Sequence, residues 1–386
     1  MSSYDVGIVG AGVHGVSAAY QLARRGVSTV VFERGRRAGG PTGQASGVVR
    51  SYYTNRFLAE VARDSTTVLA DFDARVGGES GYVRTGGLYL HGPGDAADVR
   101  ATAAGLAAAG IGHRVLTPAD LAASFADLNL DGTAIGVWEE RAGHADPRRT
   151  ALGYAARAVE LGATLLEHAE VREFSEGAHA VRVLLGDGTR HEVGRLLVAA
   201  GPWTGPLLAH VGVTLPLTAE RHVVAGLVHP PQDVPRAVPH VLIDLQHGYY
   251  SRPAGAGRFL LGPLAPTTAT DPDDFDAGIT SAEFAWLAAR AARRAPVRGR
   301  AVADRGWASL YDVSPDWQPV TGQVSERVYV DAGTSGHGFK LAPVWGEHVA
   351  RLLIGDADER LGQFSPGRFT AGAGLAGGFG TARILG

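Results

Sequence analysis

The sequence contains no cysteine, one methionine and one lysine, Lys340, among its 36 basic residues. The lack of cysteine excludes disulfides, cysteine metal sites, thiol catalysis and a thioether link to a prosthetic group, and we expect no metal site. A net charge of −3 leaves no basic excess to neutralise phosphates, which argues against nucleic acid or an acidic membrane surface as a partner. No run approaches about eighteen apolar residues, and the stretch before the first strand is too short for a signal peptide, so we expect a cytoplasmic protein.

Residues 4–34 read as a strand, a helix and a second strand. The strand Val6 to Val9 leads into Gly10, Gly12 and Gly15 in a GxGxxG pattern, and the second strand ends in Glu33. The first glycine permits a tight turn, the second lets backbone approach a pyrophosphate, and the third lets the helix pack on the strand. The Glu33 carboxylate is placed to accept hydrogen bonds from ribose hydroxyls. The unit therefore predicts an adenine dinucleotide site, for either FAD or NAD.

Apolar runs near both ends of the chain have the character of buried parallel strands, whereas four closely spaced strand candidates between residues 223 and 261 indicate an antiparallel sheet. The sequence thus predicts an α/β fold in which a Rossmann-type dinucleotide-binding domain, which is an FAD-binding domain if the cofactor is a flavin, is interrupted by a substrate domain. That inserted domain is built on a mainly antiparallel sheet flanked by helices. The first domain is expected in residues 1–84, 147–217 and 305–370, the second in 85–146 and 218–304, and a loosely held Gly/Ala-rich tail in 371–386.

Two glycine-rich turns favour a flavin over NAD. A reduced flavin ring carries negative charge, which the N-terminus of a helix stabilises. The turn Gly333 to Gly338, followed by a helix predicted over Pro343 to Leu353, offers such a terminus. Ala200 and Gly201 end a central strand, at the edge of the sheet where ligands bind in open α/β folds.

Four segments together resemble the D-amino acid oxidase superfamily of FAD enzymes: the opening βαβ unit, Leu196 to Leu208, Asp316 to Gly322, and Val328 to Ala350. GHGFK at Gly336 to Lys340 is most similar to the branch of monomeric sarcosine oxidase and glycine oxidase. The resemblance runs from about residue 4 to 370 in the same motif order. It implies an FAD-dependent enzyme that oxidises amines or amino acids.

The resemblance also implies the site residues. Arg50 and Lys340 match a pair that clamps the substrate carboxylate; two neighbouring cations would also lower the pKa of a bound amine, so that no dedicated base is required. Tyr250 matches a wall of the substrate pocket. His337 is expected mainly as a backbone contact, with a catalytic base as the alternative, and Trp203 as either a cofactor neighbour or a core residue. The expected cofactor-binding residues are Gly10, Gly12, Val13, His14, Gly15, Glu33, Arg34, Gln44, Ala45, Ser46, Val171, Ala200, Gly201, Trp203, Ser309, Gly336, His337, Gly338, Phe339 and Lys340.

Four positions depart from the sarcosine oxidase pattern. Ser309 replaces the cysteine that binds flavin, so we expect non-covalent FAD, and Gly47 replaces an arginine. Leu260 replaces the lysine that promotes reaction with oxygen; Arg258, two residues away on the same strand face, is the candidate replacement cation. Leu264 replaces a pocket histidine, which favours a larger or less polar amine than sarcosine, such as a cyclic or aromatic amino acid.

These residues predict an oxidase that moves a hydride from the carbon beside nitrogen to flavin, gives an imine, and reduces O2 to H2O2. The substrate is expected to be a carboxylate-bearing primary, secondary or cyclic amine. Three alternatives stay open: a dehydrogenase with another electron acceptor, a flavin-binding subunit of an amine dehydrogenase complex, and an NAD-dependent dehydrogenase. We expect a monomer or a small homo-oligomer.

Overall fold

Two large β-sheets organise the chain in the computed structural model, which describes residues 3–379. The strands, in chain order, are β1 (Ser3–Val9), β2 (Thr29–Phe32), β3 (Val48–Val49), β4 (Val83–Arg84), β5 (Gly87–His91), β6 (Arg114–Leu116), β7 (Ile135–Glu139), β8 (Gly143–His144), β9 (Thr164–Leu166), β10 (Val171–Glu176), β11 (Val181–Leu185), β12 (Arg190–Val198), β13 (Thr218–Val228), β14 (Val241–Asp244), β15 (Tyr249–Pro253), β16 (Arg258–Pro263), β17 (Val302–Val313), β18 (Val320–Gln323) and β19 (Val328–Ala332).

Ten α-helices occur in the same described residues. They are α1 (Val13–Ala23), α2 (Pro41–Gln44), α3 (Arg56–Ala70), α4 (Phe72–Arg75), α5 (Ala96–Ala108), α6 (Pro118–Ser124), α7 (Pro147–Glu160), α8 (Thr204–Ala209), α9 (Ser281–Arg294) and α10 (Gly338–Leu353). Short 3-10 helices cover Pro93–Asp95, Gly201–Trp203, Pro231–Arg236, Pro296–Arg300, Glu359–Phe364 and Pro366–Arg368. None of these helices has the length and apolar character needed to cross a membrane.

The first sheet follows the order β10-β11-β12-β1-β2-β9, with β19 beside β12 and β18 beside β19. Strand β1 pairs in parallel with both β12 and β2. The core residues of this sheet are apolar and buried, as Ile8 of β1, Val30 of β2 and Leu197 of β12 illustrate, because helices pack on both faces of a parallel sheet. The predicted Rossmann-type unit and α/β class are confirmed.

The second sheet follows the order β17-β13-β16-β15-β14-β5-β7-β6. All its pairings are antiparallel except that of β14 with β5. The predicted mainly antiparallel sheet is therefore present, and it draws strands from both segments assigned to the inserted domain. Strand β17 pairs with β13 in this sheet, so the predicted boundary at residue 305 falls inside a strand; the domain limits themselves stay a prediction.

Helix α10 begins five residues earlier than predicted, at Gly338 instead of Pro343. Proline inside a helix removes a backbone donor and leaves nearby carbonyl groups without a partner. Here Ser65 Oγ donates to the Leu341 oxygen and accepts from the Val344 amide, while Ser17 Oγ donates to the Ala342 oxygen. Side chains from α3 and α1 thus satisfy the interrupted turn, and the early start places Lys340 in the first turn of the helix.

Three contacts anchor the described part of the predicted tail, residues 371–379, of which 371–374 are exposed. The Leu375 amide donates to the Asp316 carboxylate, and the Gly378 amide donates to Thr54 Oγ1. The ring of Phe379 stacks on Tyr52 with centroids 5.8 Å apart. Glycine and alanine content did not reveal these specific anchors. Residues 380–386 lie outside the described part of the chain.

Candidate active site

A cavity of about 970 Å³ opens between the two sheets. On the side of the first sheet it is lined by the glycine turn after β1, the end of β2 and the turn after β12. On the side of the second sheet it is lined by side chains of β13 to β15 and β17, and the start of α10 closes it. Long strands from separate parts of the chain thus surround one space, which is large enough for a dinucleotide and a small substrate.

The glycine turn after β1 has the shape that a pyrophosphate requires. Gly10 has φ of +103°, and a Cβ there would lie 2.5 Å from the Ala199 carbonyl oxygen. A Cβ on Gly15 would collide with the oxygen of Gly10, so the helix can approach the strand only without one. Gly12 is the N-cap of α1 and offers no side-chain cap, which leaves N–H donors for an anion.

Both carboxylate oxygens of Glu33 are oriented by backbone amides. Oε2 accepts from the Ala11 amide and Oε1 from the Gly35 amide, each at 2.8 Å. Glu33 lines the cavity, so its remaining acceptor capacity faces the space where a ribose would lie. The residues present therefore fit the adenosine and pyrophosphate parts of FAD.

His14 ties the N-terminus of α1 to that of α10. Its Nδ1 lies 2.8 Å from Asp331 Oδ2, and its Nε2 lies 3.0 Å from the Gly338 oxygen. Burial lowers the pKa of His14, but the Asp331 charge and hydrogen bond more than offset this, and the pKa is raised. A protonated imidazole donates from both nitrogens, which matches the two acceptors. The two helix N-termini are thereby held together beside the cavity.

The structure brings most of the sequence-predicted site residues to this one cavity. All the expected cofactor-binding residues line it except Gly15, which packs behind the turn, and His337, which is fully buried with Nδ1 3.3 Å from the Tyr53 hydroxyl. Arg50 and Tyr250 also line it. Their individual roles toward a cofactor or substrate stay predictions.

Arg258 is the exception among the predicted catalytic residues, and its position corrects the expectation that it replaces a cavity cation. It is the first residue of β16, half of its side chain is exposed, and it forms an ion pair with Asp304 at 3.1 Å. It does not line the cavity. Leu260, two residues away on the same strand, does not line the cavity either.

Two buried basic side chains, Arg50 and Lys340, line the cavity. Arg50 is 3% exposed, donates to the Tyr52 oxygen at 2.7 Å and lies over the Tyr53 ring at 4.2 Å. Lys340 is 5% exposed, and its Nζ donates to the Gly336 oxygen at 3.2 Å. Burial first, and the Arg50 charge second, hold the pKa of Lys340 well below its usual value. The site is thus prepared for an anionic group of a ligand.

Glu139, which the sequence did not single out, supports the segment that carries Arg50. Its Oε1 accepts from both the amide and the hydroxyl of Ser51 at 2.6 Å, and its Oε2 accepts from the Tyr89 hydroxyl at 2.7 Å. His113 Nε2 lies 3.7 Å from Oε2. Burial raises the pKa of Glu139, but His113 and these donors more than offset it, so the pKa is lowered. Its stabilisation is present above the unfolded pKa and lost as pH falls through the folded one.

Replacing Glu139 with alanine should lower the free energy of unfolding by about 3 kcal/mol, because the Ser51 and Tyr89 donors would lose a charged acceptor in a buried site. Tyr89→Phe, which removes one donor and leaves the acceptor, should cost only about 1 kcal/mol. Urea unfolding of the FAD-loaded proteins, followed by circular dichroism, measures both. Equal losses for the two variants would contradict the role assigned to Glu139.

Asp273, which the sequence did not single out, contacts both Trp203 and Arg34, two of the predicted cofactor-binding residues. Its Oδ1 accepts from Trp203 Nε1 at 2.8 Å and from Arg34 at 2.9 Å, while the Arg34 guanidinium stacks over the Trp203 ring at 3.8 Å. All three residues line the cavity. Asp273 belongs to the segment between β16 and α9, whereas Arg34 and Trp203 follow strands of the first sheet, so Asp273 connects segments of the two sheets at the cavity.

Asp273→Asn should speed FAD dissociation about fivefold, because a half-exposed charged contact of this kind contributes roughly 1 kcal/mol. The measurement is the fluorescence increase as FAD leaves the diluted protein. Asp274→Asn removes the same charge one residue away and serves as the control. Similar dissociation rates for Asp273→Asn and the parent would show that the contact does not retain the cofactor.

The comparisons with known proteins agree with this geometry. The model of the DAO family, described as FAD dependent oxidoreductase, matches residues 5–352. The chain belongs to this family. The predicted superfamily, its FAD dependence and the prediction of an oxidoreductase are thereby confirmed. Among residues 3–379 of this DAO-family enzyme, no group of three or more His, Asp or Glu side chains could hold a metal ion.

Individual relatives are more distant. The chain is 27% identical to peroxisomal sarcosine oxidase of Mus musculus over 91% of its own length and 92% of the relative's. It is 26% identical to 4-methylaminobutanoate oxidase (formaldehyde-forming) of Paenarthrobacter nicotinovorans over 90% of its length, but spans only 43% of that protein. The structure of L-proline dehydrogenase from P. horikoshii superposes with a TM-score of 0.87 at 23% identity, over 96% of this chain and 99% of the other. This DAO-family enzyme therefore shares the fold of that L-proline dehydrogenase.

Proposed function

We propose that this enzyme oxidises the C–N bond of an amine that carries a carboxylate, giving an imine, with O2 as the acceptor and H2O2 as the second product. The observation that carries the proposal is the pair of buried basic side chains, Arg50 and Lys340, that line one cavity with the expected cofactor residues. FAD, when bound, supplies the hydride acceptor. Both relatives named above are, by name, oxidases of amines that bear a carboxylate.

The chain's own residues account for binding and orientation. Arg50 and Lys340 would hold the carboxylate, which fixes the neighbouring carbon relative to the cofactor. Ile243, Tyr250 and Leu264 line the cavity and are at most 7% exposed, so they offer an apolar surface to the rest of the substrate. That surface favours a larger or cyclic amino acid over sarcosine, because a small polar substrate would leave it uncovered.

The cofactor would be bound without a covalent link. Ser309 lines the cavity where the sarcosine oxidase pattern has cysteine, and a hydroxyl does not have the nucleophilicity of a thiolate. Denaturation in acid should therefore release all the FAD into the supernatant. A monomer or small homo-oligomer remains our expectation for the assembly.

A dehydrogenase with another electron acceptor is the second candidate. The observation that favours it is the position of Arg258, which pairs with Asp304 outside the cavity and leaves Leu260 without the expected replacement cation. A positive charge near a reduced flavin assists its reaction with oxygen, because negative charge develops on the oxygen.

One experiment tests the function and separates the two candidates. The FAD-loaded protein is mixed anaerobically with D-amino, L-amino, N-methyl and cyclic amino acids while the flavin absorbance is followed, and air is then admitted. Bleaching followed by rapid recovery with peroxide supports the oxidase, and bleaching without recovery supports the dehydrogenase. Absence of bleaching by every member of the panel would contradict both.

A further inference from the structure

Lys340 has an unusual environment for a lysine. It lies in the first turn of α10 and lines the cavity. Its hydrogen-bond partners among residues 3–379 are two carbonyl oxygens, of Gly336 at 3.2 Å and of His337 at 3.5 Å. No carboxylate of residues 3–379 forms an ion pair with it. A lysine buried in this way is normally paired, since an isolated buried charge is costly.

The groups packed around Lys340 do not supply the missing negative charge. The titratable side chains that interact with Lys340 through their charge are Arg50 and His337. Two carboxylates of the same region already have donors: Asp331 accepts from His14, Thr321 and Trp345, and Asp312 accepts from Thr334. The charge that acts on Lys340 is therefore the Arg50 cation, and no carboxylate of residues 3–379 pairs with it.

This environment matters because of the form in which an amino acid arrives. At neutral pH its nitrogen is an ammonium group, whereas loss of hydride from the adjacent carbon requires the free amine. Burial and the Arg50 charge hold the pKa of Lys340 well below its usual value, which favours an Nζ that can accept a proton. The ammonium and carboxylate of an α-amino acid are attached to the same carbon, so a side chain that reaches one lies beside the other.

We propose that Lys340 accepts the proton of the incoming ammonium group and then, as a cation, pairs with the carboxylate of the same substrate. The inference rests on the function proposed above. In this step one N–H bond of the ammonium breaks, its electron pair stays on the substrate nitrogen, and the proton bonds to the Nζ electron pair. Charge is conserved, and no electrons leave or enter. One residue thus generates the reactive amine and completes the carboxylate clamp.

Proton uptake during binding of simple carboxylates tests this step without turnover. The FAD-loaded enzyme is titrated calorimetrically at pH 7 with acetate, propionate and benzoate in buffers of different ionisation enthalpy. These probes carry no ammonium proton, so Lys340 must take its proton from the buffer, and we expect uptake of about one proton per bound carboxylate. Arg75→Met, which removes an exposed cation away from the cavity, should retain this uptake.

Two variants at position 340 identify the group that takes up the proton. Lys340→Arg keeps a permanently charged side chain, so it should bind the probes with no proton uptake. Lys340→Met should also show none, with weaker binding through Arg50. The FAD content of each purified variant shows whether it has folded and bound its cofactor. If one variant fails this check, the other is sufficient for the comparison with the parent.

The experiment distinguishes failure of the Lys340 inference from failure of the proposed function. Carboxylate binding to the parent without proton uptake would mean that Lys340 is already charged, which overturns this inference and leaves the proposed function intact. Uptake that persists in Lys340→Arg would assign the proton to another group and also overturn it. If none of the three carboxylates binds, the site does not recognise a carboxylate group, which overturns the inference together with the proposed function.

Discussion

Replacement of Lys340 with methionine should slow anaerobic flavin reduction by the best amine roughly a thousandfold. Methionine keeps most of the volume of the side chain but removes the cation that pairs with the substrate carboxylate. Breaking a buried ion pair by removal of one partner typically costs about 3–5 kcal/mol, and about 1.4 kcal/mol corresponds to a factor of ten in rate. The same substitution removes the proposed proton acceptor, which should slow flavin reduction further.

Stopped-flow measurement of the flavin absorbance gives this rate directly. Arg290→Met serves as the control, because Arg290 lies on α9 and stacks on Trp286, away from the residues that line the cavity. Unchanged FAD content in Lys340→Met would assign the loss to substrate binding and chemistry. A reduction rate within tenfold of the parent would contradict the role of Lys340 as the second cation of the clamp.

Gly15→Ala should yield a protein that binds little or no FAD. The added Cβ would collide with the backbone oxygen of Gly10, and a backbone atom inside a tight turn cannot move aside without displacing the turn itself. Because Gly10 and Gly12 form the expected pyrophosphate cradle, a displaced turn should weaken FAD binding by at least about a hundredfold, or roughly 3 kcal/mol.

Gly105→Ala is the matched control for this substitution. Gly105 lies within α5, and a Cβ there meets no atom within 4 Å. Alanine also favours the helix over glycine, so this variant should bind FAD as the parent does and be slightly more stable. The flavin-to-protein absorbance ratio of the purified proteins measures the outcome. A Gly15→Ala protein as yellow as the control would contradict the packing role of Gly15.

The parts of the fold that were predictable depend on local patterns. The apolar run before Gly10, the spacing of the three glycines and the acidic end of β2 are consecutive in the chain, and they predicted the dinucleotide-binding unit. Closely spaced strands with turn residues between them likewise predicted the antiparallel sheet. Arg50 and Lys340 are 290 residues apart in the sequence, and no local pattern connects residues at that distance. Their placement at one cavity was therefore predicted from the resemblance to a known family.

The parts that were missed depend on contacts between distant residues. A proline at position 343 is a reasonable local signal for a helix start, but Ser17 and Ser65 from other helices allow α10 to begin at Gly338. Glu139 gains its role from donors 88 and 50 residues away, and Asp273 from donors 70 and 239 residues away. No periodicity or spacing marks such pairs, so only the folded structure identifies them.

The most direct test of the proposed function compares one amine with and without its carboxylate. Once the panel has identified an amino acid that bleaches the flavin, the corresponding amine lacking the carboxylate is mixed anaerobically with the same protein at the same concentration. We predict that the amino acid reduces the flavin at least a hundredfold faster, since only it can use Arg50 and Lys340, a difference of roughly 3 kcal/mol. Equal rates for the two compounds would contradict the claim that these two cations recognise the substrate.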